Sequence, residues 1–132
     1  MAIPRTTIFL LIGIGAAVGA NIRYLLGQWV ALRIGSEFPY GTLVINVLGS
    51  LAIGIFLGLV GTPAQPSIAW RLLIATGLLG GFTTFSTFSY EAYMLFAQDR
   101  WREASLYMAL SVLLGLAATA LGVWLVRISL VS

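Results

Sequence analysis

Residues 80 to 91, Gly80-Gly81-Phe82-Thr83-Thr84-Phe85-Ser86-Thr87-Phe88-Ser89-Tyr90-Glu91, set a glycine pair, a run of hydroxyl residues and a carboxylate into an otherwise apolar stretch. Gly costs about 1 kcal/mol in a helix interior, and β-branched Thr beside a Gly pair weakens it further, so a broken helix is predicted around Gly80 to Thr84. A break frees backbone carbonyls, which bind cations. Beyond it Phe85 and Phe88 stand at i, i+3 and Thr87 and Glu91 at i, i+4, each pair on one helix face. A phenyl ring has a positive edge that can face an anion; packing against core or lipid is the plainer use of the same ring. Glu91 either pairs with an arginine or stands near the membrane interface. A carboxylate suits an anion path only when protonated, displaced or part of a gate.

Other polar residues extend this chemistry. Asn46 carries two amide N–H donors that can replace water around an anion, or can bridge helices for about 0.6 kcal/mol. Arg23 sits within an apolar run, either snorkelling to the interface or supplying a fixed positive potential to an anion. Tyr107, Ser111, Gly115 and Thr119 follow one another at i, i+4 and share a face. Their hydroxyls either bond back to their own helix or form a polar track for an ion shedding its water.

The elements that position these residues follow from composition. The chain of 132 residues is 60% hydrophobic and 8% charged, with no Lys, His or Cys. A soluble domain carries about a quarter charged residues, so this is an all-α integral membrane protein. About 20 apolar residues make one crossing, and spans are predicted at about 7–32, 40–61, 72–97 and 104–126 in a single transmembrane domain. Pro63 and Pro66 close the second, and Ser67 is a candidate N-cap for the third. Trp29, Trp70, Trp101 and Trp124 fall near span ends, as interface anchors do. Gly15-x-x-x-Gly19, Gly54-x-x-x-Gly58 and Gly77-x-x-x-Gly81 point to close helix packing. Four tightly packed helices leave little room for a wide pore, so a conduit is expected between subunits. A signal peptide ending at Val18-Gly19-Ala20 is the lesser alternative for the N-terminus, because the apolar pattern runs on past Arg23.

With four spans, Arg5, Arg71 and Arg127 lie on one side and Arg33, Arg100 and Arg102 on the other. Orientation follows the bias in such charges, and here there is none. Insertion in both orientations and assembly as an antiparallel dimer is expected, against a fixed orientation set by other context. The absence of Cys rules out disulfides and thiolate chemistry; without His or Lys most general-base and Schiff-base catalysis is gone too, and no enzyme is expected. No basic cluster suggests nucleic acid.

Gly80-Gly81-Phe82-Thr83-Thr84-Phe85-Ser86-Thr87-Phe88-Ser89 closely resembles the signature of the Fluc-type (CrcB-like) fluoride channels. Gly15-x-x-x-Gly19-x-x-x-Arg23, Gly41-Thr42-Leu43-x-x-Asn46 and the chain length extend the resemblance over essentially the whole chain. It implies an antiparallel, dual-topology homodimer in the bacterial plasma or inner membrane, with the third helix broken near mid-membrane and two narrow pores exporting fluoride passively. A structural Na⁺ at the dimer interface would bind the backbone carbonyls of Gly80 and Thr83. The pore asparagine matches Asn46, the paired phenylalanines Phe85 and Phe88, and the third-helix hydroxyl and acid Thr87 and Glu91. Tyr107, Ser111 and Thr119 match the polar track, from which Gly115 departs, and Arg23 completes the pathway. The alternatives are a small multidrug-type transporter, which would want an acid rather than Arg23 deep in its first helix, and a non-transporting assembly subunit.

Overall fold

Punctuation residues set the helix ends in the computed structural model, which describes residues 3–131. Helix α1 (Arg5–Ile34) starts after Pro4 and stops at Gly35, whose φ of 100° only glycine adopts freely and whose N–H caps Ala31 O at 2.9 Å. Helix α2 (Tyr40–Gly58) follows Pro39 and ends before the turn at Gly61. Ser67 caps the next helix through a bond from Trp70 N. That helix, α3, comprises an α-helical turn Ile68–Trp70, a π-helical stretch Arg71–Leu79 and a last α-helical turn Gly80–Phe82. Thr83 and Thr84 are extended, α4 (Phe85–Ala97) resumes the path, and a tight turn at Asp99 leads to α5 (Trp101–Val131). No strand occurs among the described residues.

Four segments are long and apolar enough to cross a membrane: Arg5–Ile34, Tyr40–Gly58, Ile68–Ala97 and Trp101–Leu130. They face outward with residues such as Phe9 and Leu32, as a lipid-embedded bundle must.

Glycines decide which helices touch. A Cβ on Gly15 would strike the Leu73 carbonyl and one on Gly19 the Leu78 carbonyl, with Phe82 N at 2.8 Å. Gly77 returns the contact to Ile12 O at 2.8 Å, and Gly81 lies against the Ala16 backbone. The two small-residue repeats of α1 and α3 thus face each other, and the helices run parallel. Gly54 abuts the Thr119 backbone while Gly122 abuts Leu51 and Ile55, giving a second parallel pair, α2 with α5. A small core of Leu43, Ala92, Leu95, Ala104 and Tyr107 joins α2, α4 and α5.

The break is narrower than predicted. Gly80 has helical φ and ψ, and α3 continues through Phe82 before opening at Thr83 and Thr84. Gly77 and Gly81 serve close approach to α1, Gly80 lines the helix without ending it, and the threonines end it.

Candidate functional site

Two diverted amides make the break. In an α-helix each N–H donates to the carbonyl four residues earlier, which would pair Thr84 N with Gly80 O and Thr87 N with Thr83 O. Instead, Thr84 N donates to Asn46 Oδ1 at 2.9 Å, and Thr87 N donates to Thr84 Oγ1 at 3.3 Å. The carbonyls of Gly80 and Thr83 therefore lose their helical donors. Asn46 returns a bond from Nδ2 to Thr84 O at 3.0 Å, so its amide clips both polar groups of one peptide residue. Thr83 closes the end of α3 by donating its N–H and its hydroxyl to Leu79 O, at 3.0 and 2.9 Å. Backbone carbonyls freed at a helix break are a donor set suited to Na⁺, and by donor chemistry the pair at Gly80 and Thr83 would suit that ion.

Beside the break a cavity of about 400 Å³ is lined by Asn46, Gly80, Thr83, Phe85, Phe88 and Ser111. The rings of Phe85 and Phe88 lie 5.6 Å apart, centroid to centroid. Phe85 is 79% exposed, so it does not pack the protomer's own core. One N–H of Asn46 Nδ2 is used by Thr84, which leaves the second for a ligand. Ser111 Oγ is buried without a hydrogen-bond partner.

Glu91 occupies the neighbouring layer. Its oxygens accept from Tyr107 OH at 2.6 Å and from Thr42 Oγ1 at 2.9 Å. These two hydroxyls, and no arginine among the described residues, satisfy the carboxylate. Tyr107 is fully buried, with its ring 5.2 Å from Phe88 and 5.6 Å from Phe38. Thr42 was not singled out from the sequence; its place one turn before Asn46, on the same face of α2, was the available signal. Thr42, Glu91 and Phe38 also border a cavity of about 460 Å³ that reaches Arg100 near the helix ends. Arg100 donates to Glu37 O at 2.8 Å and pairs with Glu103. The hydrogen bond to Glu103 raises the Arg100 guanidinium above its ordinary pKa, so it stays charged.

The remaining residues are dispersed. Arg23 and Thr87 line a separate groove of about 400 Å³ with Tyr24, Gln28 and Thr42, and Thr84 borders both this groove and the cavity at the break. Thr119 does not line that cavity; its hydroxyl donates to Ser50 O at 3.2 Å. A Cβ at Gly115 would lie 3.5 Å from Ser50 Oγ. Ser50 itself lines the cavity, so a hydroxyl from α2 stands where the α5 series lacks one.

Comparison with known proteins bears on this arrangement. Residues 10–123 match the family model described as CrcB-like protein, Camphor Resistance (CrcB). A fluoride-specific ion channel FluC of Roseiflexus sp. (strain RS-1) is 52% identical over 117 residues, covering 89% of this chain and 94% of that protein. One of the same name from Chloroflexus aurantiacus is 52% identical over 118 residues, again 89% and 94% of the two chains. A third, from Rhizobium johnstonii, is 43% identical over the same shares. With a family model matching residues 10–123 and relatives 52% identical over most of the length, the chain belongs to the CrcB-like family.

Proposed function

We propose that this protein is a fluoride-selective channel of the bacterial cell membrane, conducting fluoride passively outward and so conferring fluoride resistance. Its relatives carry that name, and one structural observation carries the reading here. Beside a broken membrane helix, a single cavity collects an amide N–H, two phenyl rings and an unpartnered hydroxyl, with no fixed charge among the residues lining it.

Fluoride is small and strongly hydrated, so a conduit must return the hydrogen bonds that water gave. Asn46, Ser111 and the ring edges of Phe85 and Phe88 supply them without a deep trap, which conduction requires. At the next layer the ion meets Tyr107 and Thr42, whose single hydroxyl protons already go to Glu91. Passage there needs Glu91 to yield those donors or to carry a proton itself. Thr87 and Arg23 line the groove on the other side of Thr84, where an arginine raises the local concentration of anions. Thr119 marks the far end of the polar series on α5.

The working unit is read as an antiparallel homodimer with two pores. Phe85, Ser86 and Ser89 leave α4 with an exposed face of mixed polarity, unsuited to lipid and suited to a second copy. The carbonyls of Gly80 and Thr83 would hold a structural Na⁺ at that junction, fixing the break and taking no part in transport.

Purified protein in liposomes, loaded with fluoride and followed by a fluoride electrode, tests the main reading. Fluoride efflux with little chloride efflux is expected. Absence of fluoride efflux, or equal rates for both ions, overturns it; a multidrug-type carrier would move neither ion.

A further inference from the structure

We infer that Asn46 and Thr84 are the positioning residues that create the cation site, each removing the helical donor from one of its two carbonyls. The inference rests on the reading of Gly80 and Thr83 as cation ligands and says what keeps those ligands free. Left to itself, a segment in an apolar environment closes its own hydrogen bonds, because an unpaired carbonyl there costs about 1–3 kcal/mol. Thr84 N would return to Gly80 O and Thr87 N to Thr83 O, and the break would heal into continuous helix.

Two side chains prevent this. Asn46 Oδ1 takes the Thr84 N–H at 2.9 Å, and Asn46 Nδ2 holds Thr84 O at 3.0 Å. This double contact reaches across from α2 and fixes Thr84 in its extended conformation (φ −151°, ψ 117°). Thr84, so held, is the N-cap of α4, and its Oγ1 takes the Thr87 N–H at 3.3 Å. A further bond at 3.0 Å, from Thr84 Oγ1 to Thr87 Oγ1, orients the hydroxyl so that its lone pairs face the Thr87 amide. The two diversions are in series: Asn46 sets Thr84, and Thr84 sets Thr87. One pore-lining side chain thereby governs the cation ligands and the anion cavity together.

The test measures Na⁺ itself. Purified wild-type protein and variants are melted in NaCl and in choline chloride of equal concentration, and the increment due to Na⁺ is read. Wild type and Thr84→Ser, which keeps the capping hydroxyl, are expected to show the increment. Asn46→Leu and the isosteric Thr84→Val are expected to lose it. A merely structural role would lower both melting temperatures together and leave the increment intact; that result in either variant overturns the assignment. Thr84→Val carries the test alone if Asn46→Leu does not fold. If wild type shows no increment, the cation reading fails first and this inference falls with it, which separates the two failures.

Discussion

A hydroxyl buried without a partner costs about 1–3 kcal/mol, and Ser111 Oγ is in that position beside the cavity at the helix break. Packing gives no reason to keep it. Ser111→Ala is therefore expected to leave the melting temperature unchanged or raised while slowing fluoride efflux about tenfold or more, since a hydrogen bond to an ion contributes about 1.5–3 kcal/mol. Unchanged efflux would leave Ser111 as no more than filler between α2 and α5. Phe85 separates packing from conduction in the same way. At 79% exposure its ring supports little of the protomer's core, so Phe85→Ile should preserve folding and suppress efflux, and equal efflux would return Phe85 to a lipid or partner contact. The residues of this site are partly legible in the sequence, because an amide and a carboxylate in an apolar run have few uses. What spacing cannot show is who bonds to whom. Asn46 reads as an ion donor, yet its two hydrogen bonds both go to the Thr84 backbone and one N–H remains for an ion. Thr84 was a legible N-cap candidate that the glycines nearby obscured.

At the scale of elements, the glycine repeats illustrate the difference between a pattern and its use. Gly77-x-x-x-Gly81 and Gly15-x-x-x-Gly19 are visible as motifs, but only the folded chain shows that they face each other. That pairing occupies the glycines of α3 and moves the helix break on to Thr83 and Thr84. The π-helical stretch Arg71–Leu79 has no sequence signature at all. It packs against α1 through Gly77, and periodicity along one segment carries no such information. A matched pair of substitutions measures what the seam contributes. Gly19→Ala would put a methyl against the Leu78 carbonyl and 2.8 Å from Phe82 N, both backbone atoms that cannot rotate aside. Overpacking of this kind costs about 1–3 kcal/mol. Gly13 has nothing within 4 Å of an added Cβ, so Gly13→Ala should be neutral or gain up to about 1 kcal/mol in helix propensity. Thermal unfolding in one detergent compares the two, and equal melting temperatures would show that α1 and α3 do not depend on the close approach.

For the whole molecule, the distribution of arginines bears on the orientation in which the chain inserts. Arg5 and Arg71 start the parallel helices α1 and α3, and Arg127 closes α5 at the same end. Arg33, Arg100 and Arg102 stand at the opposite end. Since the rule counts positive charges near span ends and gives acids little weight, neither end is favoured and both orientations should be populated. Reporter fusions at the C-terminus, one active inside and one outside, are expected to register together. A biased chain makes the consequence testable. Ala64 and Gln65 are exposed in the loop between α2 and α3, and Ala64→Arg with Gln65→Arg adds two charges to one end. Ser36→Arg with Gln98→Arg adds two to the other, also at exposed positions. Each biased chain alone should insert one way and support little efflux, because an antiparallel partner is missing. Expressed together, the two should restore efflux, as only opposite orientations can then pair. Full efflux from either biased chain alone, with its reporter confined to one side, would rule out the antiparallel assembly and leave a conduit formed within one protomer or between parallel copies.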